Sequence, residues 1–244
     1  MSDSEVFQEA MNKLINLKMM FKKERMHSDT VTEKEYELMD KGFDYIYKQI
    51  SRADLTSKDK DFLNNNYLDV ICERSLTAEQ ITNISPKYIG KYVEHRMVKD
   101  ADFMNELLTE LDTSGKISKY FAYSDDYYNA KHMDMVNLSE IALINFCDER
   151  ISETQYADTM MTILQKCQKV LHKNNADRTQ RNGCENVMDD ICRSNIKLSS
   201  YPKLEQAYIN LEEECINHYS RTLKSKRGDV ELSLQNSKIN EERR

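Results

Sequence analysis

Cysteine and histidine are the side chains in this 244-residue sequence best suited to nucleophilic or metal chemistry, with six of one and five of the other. Their spacing supports neither. Cys72, Cys147, Cys167, Cys184, Cys192 and Cys215 are scattered, with no C-x-x-C pair and no tight cluster, so neither a zinc motif nor a disulfide framework can be written. His27, His95, His132, His172 and His218 never pair at i, i+4 and none sits in an H-E-x-x-H. The neighbours Cys167 and His172, like Cys184 and Cys192, match no standard zinc spacing. A cysteine nucleophile meets its histidine only in the folded chain. Cys167, Cys192 and Cys215, however, fall on apolar helical faces, where a thiol usually packs as a small hydrophobe. The five glycines are all isolated, so no phosphate-cradling loop and no dinucleotide fingerprint exists. The acidic pairs Asp125-Asp126 and Asp189-Asp190 are adjacent in sequence, which on a helix turns them about 100° apart; a solvated face is expected of both. No catalytic residue, metal or cofactor is assigned.

The elements that must position any other site are helices. Apolar residues make 39% of the chain and charged residues 32%, enough to bury a sizeable core and to keep it folded in water. Five glycines and two prolines are far too few for a turn-rich sheet protein. With 35 basic against 42 acidic residues, the net charge of −7 argues against binding nucleic acid or an anionic membrane with the whole surface. The longest aliphatic run, Ile141 to Ile144, is far short of the roughly 20 residues that span a bilayer. The N-terminus carries acidic and polar residues where a secretion signal would be basic and then apolar. Together with reduced thiols, this predicts a cytoplasmic or nuclear protein.

Three helices stand out. After Leu55, the apolar positions Phe62, Leu63, Tyr67, Val70 and Ile71 trace one helix face, and Thr56 with Asp59 supplies a capping signature. A second stripe runs Tyr156, Met160, Ile163, Leu164, Cys167, Val170, Leu171, opened by Ser152 and Gln155. The third runs Leu204, Ala207, Tyr208, Leu211, Cys215, Tyr219 from Pro202, a residue favoured in a first helical turn. Weaker patterns cover 4–24, 33–51 (opened by Thr32 and Glu35), 86–112, 117–146, 178–196 and 229–240, giving about nine helices. No Gly/Ser or proline-rich linker interrupts them, so a single all-helical domain over 1–244 is expected.

Two patches carry a family likeness. Residues 54–71, DLTSKDKDFLNNNYLDVI, resemble the stretch ELSNEERNLLSVAYKNVI of 14-3-3 proteins: the capping hydroxyl, an apolar pair, the tyrosine and Val-Ile coincide. Residues 118–132, SKYFAYSDDYYNAKH, are similar to that family's SKVFYYKMKGDYYRY without a gap. The resemblance implies an all-α fold of about nine antiparallel helices around a concave amphipathic groove. Residues 1–115 would supply dimerisation and one groove wall, 116–240 the second wall, and 241–244 a tail. It further implies a non-catalytic adaptor, homodimeric through its N-terminal helices, that binds phosphoserine or phosphothreonine segments of partner proteins.

In that family a Lys, two Arg and a Tyr hold the phosphate, because guanidinium forks engage phosphate oxygens bidentately. Here the Lys falls on Leu68 and the first Arg on Ser75, with Arg74 one position earlier. The second Arg falls on Lys131 and the Tyr on His132. Attraction is kept and the fork is lost. Two missing charge-assisted bonds at roughly 1.5–3 kcal/mol each lower phosphopeptide affinity by about 10²–10⁴.

Of the family's two peptide-binding asparagines, the later one falls on Asn240. It is reached without a gap from the likeness of residues 203–216 to KACSLAKTAFDEAI, and Leu232, Gln235 and Lys238 agree with the pattern there. The earlier one has Asn182, Gly183 or Asn186 as alternatives. The expected site is therefore Lys131, His132, Arg74, Asn240 and Leu232. Past Asn240 only Glu-Glu-Arg-Arg remains where the family has an apolar turn and an acidic tail, which predicts a short or differently packed last helix. Two other readings compete: a phosphate-independent helical scaffold, and an unrelated helical nucleic-acid-binding protein using the basic run Arg221, Lys224, Lys226, Arg227.

Overall fold

Side-chain caps set several of the helix starts. In the computed structural model, which describes residues 3–114, 138–172, 176 and 178–220, Thr32 accepts the Glu35 N–H at 3.2 Å and starts a helix at Glu33. Thr56 does the same for Asp59 at 3.2 Å. Ser152 and Gln155 cap reciprocally, at 3.0 and 3.2 Å. Each cap satisfies backbone donors that a helix start leaves unpaired. No strand occurs among the described residues, and no helix there is long and apolar enough to cross a membrane.

The chain divides into two compact units, whose described residues are 3–114 and 138–220. The first holds α1 (Asp3–His27), α2 (Glu33–Lys48), α3 (Ser57–Ile71), the single turn α4 (Ala78–Ile81), α5 (Pro86–Lys99) and α6 (Phe103–Thr113). Helices α1, α2 and α3 pack against one another, and α6 packs on α4 and α5. The core of the triplet is built by Leu17 and Phe21 of α1, Phe43 and Ile46 of α2, and Leu63, Tyr67 and Ile71 of α3. The buried Tyr67 hydroxyl donates to the Ala10 carbonyl at 2.8 Å, so the ring is packed and its polar tip satisfied.

Two boundaries differ from the sequence expectation. The pattern over 86–112 is two helices, because Asp100 leaves the helical conformation (φ −139°, ψ 106°) and turns its carboxylate onto the Asp102 N–H at 3.2 Å. Short acidic side chains compete for backbone donors in this way and end helices. The turn α4 had no counterpart in the periodicity; it is too short to show one and rests on a Thr77–Gln80 capping box. Of the 117–146 pattern, the described part is helical from Leu138, and 229–240 lies outside the described residues.

The second unit holds α7 (Leu138–Cys147), α8 (Glu153–His172), α9 (Arg178–Arg193) and α10 (202–220). Helices α7, α8 and α9 are mutually packed. Their core is Ala142, Tyr156, Met160, Ile163, Leu164, Val187 and Ile191. The α8 stripe predicted from Tyr156 to Leu171 is buried throughout. Helix α10 turns Leu204, Ala207, Leu211 and Cys215 inward.

Gly42 lets α2 approach α3. A Cβ built there would stand 2.6 Å from Cδ1 and 2.7 Å from Cγ1 of Ile71. Gly42→Ala should gain about 1 kcal/mol of helix propensity but lose more to overpacking, in the range of about 1–3 kcal/mol. A lower urea midpoint, partly recovered by adding Ile71→Val, is the expected result.

Candidate functional site

The predicted site residue inside the first unit is Arg74, and its surroundings start with the end of α3. The Cys72 N–H bonds to the Leu68 carbonyl at 2.8 Å and closes the helix, leaving residues 73–76 to run into the Thr77 cap of α4. Tyr92 of α5 pins this segment: its hydroxyl donates to the Arg74 carbonyl at 2.7 Å and accepts the Leu76 N–H at 2.9 Å.

The Arg74 side chain turns toward α2. Its Nε lies 3.5 Å from Oε1 of Glu35, and its Nη1 donates to the Asp29 carbonyl at 3.2 Å. Glu35 sits in the first turn of α2 and is 2% exposed. The same Oε1 accepts from Arg25 Nε at 3.0 Å, while Arg25 Nη1 pairs with Glu73. The Arg25 guanidinium also lies over the Phe21 ring, 4.9 Å from its centroid. Two guanidiniums thus neutralise one buried carboxylate and tie the end of α1, the start of α2 and the segment after α3 together. Arg74 spends its charge on this internal contact. At the family's Lys and first Arg positions stand a half-buried Leu68 and an exposed Ser75.

Of the other predicted residues, Lys131, His132, Leu232 and Asn240 lie outside the described residues, as does the basic run 221–227. Asn182, Gly183 and Asn186 lie on α9 of the second unit, the asparagines half-buried and the glycine buried. Asn182 Oδ1 accepts from Arg181 at 3.5 Å. Arg181 in turn pairs with Glu185 and stacks over Tyr219 of α10, 5.4 Å from the ring centroid.

A second polar centre escaped the sequence reading. Asp189 is exposed as expected, but Asp190 is only 3% exposed, so half of that acidic pair belongs to the core. Its Oδ2 accepts from Ser139 of α7 at 2.5 Å and its Oδ1 from Arg193 at 3.1 Å. The Tyr156 hydroxyl of α8 donates to the Asp190 carbonyl at 3.3 Å. Burial lifts the carboxyl of Asp190 above its ordinary value, against the opposing pull of Ser139 and Arg193. The signal was its phase, three residues after Val187 and one before Ile191.

The thiols pack as predicted in two cases out of three. Cys167 and Cys215 are buried, whereas Cys192 is exposed, with Sγ 3.6 Å from the Tyr208 hydroxyl. Cys184 Sγ approaches the Cys167 carbonyl at 3.8 Å. Burial pushes the Cys167 thiol up and that of Cys215 up to about 12, so both stay protonated at neutral pH and lack the thiolate that attacks. Among the described residues, no group of three His, Cys, Asp or Glu side chains could hold a metal ion. No family model, curated protein or solved structure matches the chain.

Removing the buried carboxylate should be costly. Glu35→Ala leaves two guanidiniums facing each other with little solvent, and a loss of about 3 kcal/mol is expected, the lower end for breaking a buried ion pair because the arginines keep some exposure. Urea denaturation measures it; a loss below about 1 kcal/mol would show that water replaces the carboxylate.

Asp190 makes a pH prediction. A folded-state pKa above the unfolded value means that the folded chain holds its proton longer. This group's contribution to stability is therefore greatest in acid and is lost as pH rises from about 4 through the raised value. Relative to Asp190→Asn, the wild-type chain should lose stability over that window, read from denaturation curves at successive pH values. A flat difference would contradict it.

Proposed function

We propose that the chain is a non-catalytic helical adaptor of the 14-3-3 type, binding phosphorylated Ser/Thr segments of partner proteins with a weakened phosphate site. The observation that supports this most is α3. The stretch that resembles the family is one helix from Ser57 to Ile71, capped by Thr56, with Leu63, Tyr67 and Ile71 buried. In the resembling stretch the cap starts the helix and Leu63 and Tyr67 are buried, while Phe62, the other member of the apolar pair, is 49% exposed. In this reading the phosphate is met by Lys131 and His132. Asn240 and Leu232 serve the peptide backbone and its side chains. Arg74 has no part in holding the phosphate in this reading, since its guanidinium already serves Glu35.

A point charge in place of a guanidinium fork still attracts a phosphate carrying nearly two negative charges, but it constrains the geometry less. Modest affinity and broad sequence tolerance follow. A phosphate-independent scaffold is the second reading, favoured by Leu68 and Ser75 where cations would be needed.

Calorimetric titration with phosphorylated and unphosphorylated versions of one peptide library separates the two. The expected result is heat with phosphopeptides alone, with affinity falling by about 10- to 100-fold in Lys131→Ala. Folded Arg74→Ala should bind as the wild type does. Binding that ignores phosphatase treatment supports the second reading, and no heat with any phosphopeptide would overturn the first.

A further inference from the structure

The C-terminal half of α1 has two unlike faces. Leu14, Leu17 and Phe21 are buried in the first unit. Ile15, Met19, Met20 and Met26 lie on the other side and stay 53%, 64%, 44% and 74% exposed. At about 100° per residue, Ile15 falls about 40° to one side of Met19 and Met20 about 100° to the other, so the apolar side chains spread over an arc of roughly 140°. Lys18, Lys22 and Lys23 stand among them, all exposed. Among the described residues, no ion pair engages any of the three lysines. Glu24, the one acid between Ile15 and His27, is already paired with Lys34 at 2.7 Å, and Arg25 is taken by Glu35 and Glu73. The outer face therefore carries uncompensated positive charge interleaved with uncovered apolar side chains.

We infer that this face of α1 docks the chain on an anionic lipid surface, with the helix lying flat in the headgroup plane. Ile15, Met19, Met20 and Met26 enter the boundary of the acyl chains, and the three lysines meet the negative headgroups. The pattern suits lipid better than a partner helix. A helix seam is narrow and needs apolar residues at alternating spacings of three and four. Here Lys22 interrupts that spacing between Met19 and Met26, and Met20 lies outside it. At a lipid surface the same interruption is tolerated, because the lysine stem is apolar and its ammonium reaches sideways into the headgroups. Unbranched methionines fill an irregular, fluid boundary without a complementary pocket. The net charge of −7 opposes attraction by the whole surface, but at physiological salt charges more than about 8 Å from the face are largely screened. None of these residues belongs to the phosphopeptide site, so either reading survives failure of the other.

Flotation of the full chain with phosphatidylcholine vesicles containing about 30% phosphatidylserine tests it. The chain should float with these vesicles, stay behind with pure phosphatidylcholine, and be released as salt rises. Lys22→Ala should lower partitioning about fivefold, and Lys18→Ala, Lys22→Ala and Lys23→Ala combined about 100-fold. Ile15→Gln with Met19→Gln should lower it by at least about fivefold at unchanged charge, which attraction by lysines alone would not produce. Circular dichroism checks that the variants fold; if a multiple variant does not, Lys22→Ala and Met19→Gln alone keep the test. Equal binding to neutral vesicles, folded variants that float as well as the wild type, or a chain that engages duplex RNA or a second copy through these residues and leaves the vesicles unbound overturns the inference.

Discussion

A carboxylate removed from water has to be neutralised where it stands, and in the first unit that requirement falls on Glu35. The cost of stripping its hydration is several kcal/mol and is offset only by opposite charges in good geometry. Arg25 and Arg74 supply these from two different parts of the chain, at 3.0 and 3.5 Å from one oxygen. Because the carboxylate cannot be left alone, the end of α1 and the segment beyond α3 are held to the start of α2. The Tyr92 hydroxyl fixes the backbone of the same segment from the other side. Specific placement of this corner is therefore electrostatic, while the hydrophobic packing of α1, α2 and α3 supplies the bulk of the burial.

The second unit meets a similar demand differently. Asp190 has one guanidinium, from Arg193, whose side chain remains largely exposed, and one hydroxyl, from Ser139. The compensation is smaller, and desolvation dominates its titration. One buried acid is thus held by two cations and the other by a cation and a neutral donor. Both sit where three chain segments converge, a placement in which an unsatisfied oxygen would disturb several contacts at once.

Local signals in the sequence were sufficient for most helices. Thr32, Thr56 and Ser152 announce starts because a capping hydroxyl bonds a backbone donor only three residues away, and the periodicity of 156–171 needs no partner to be read. The break at Asp100 was hidden, since its apolar phase continues on both sides and only the backbone conformation shows the stop. The Arg74 environment was illegible for another reason. Its partners Glu35 and Asp29 lie far off in the chain, so the register that pointed to a phosphate ligand carried no information about a competing internal carboxylate. Asp190 departs from the solvated face expected of it because its phase, three residues after Val187 and one before Ile191, turns it into the core while Asp189 stays exposed.

The distribution of sulfur between the two units has a practical meaning. Cys72 is buried in the first unit, and Cys167, Cys184 and Cys215 are buried in the second, while Cys147 and Cys192 are exposed. A membrane-permeant or impermeant alkylating agent added to the native chain meets the last two at once and the others only through transient opening. Each half of the molecule thus contains its own clock for local unfolding. Comparing the labelling rate of Cys72 with that of the buried trio would report, without any added probe, whether the halves melt as one cooperative body or as two.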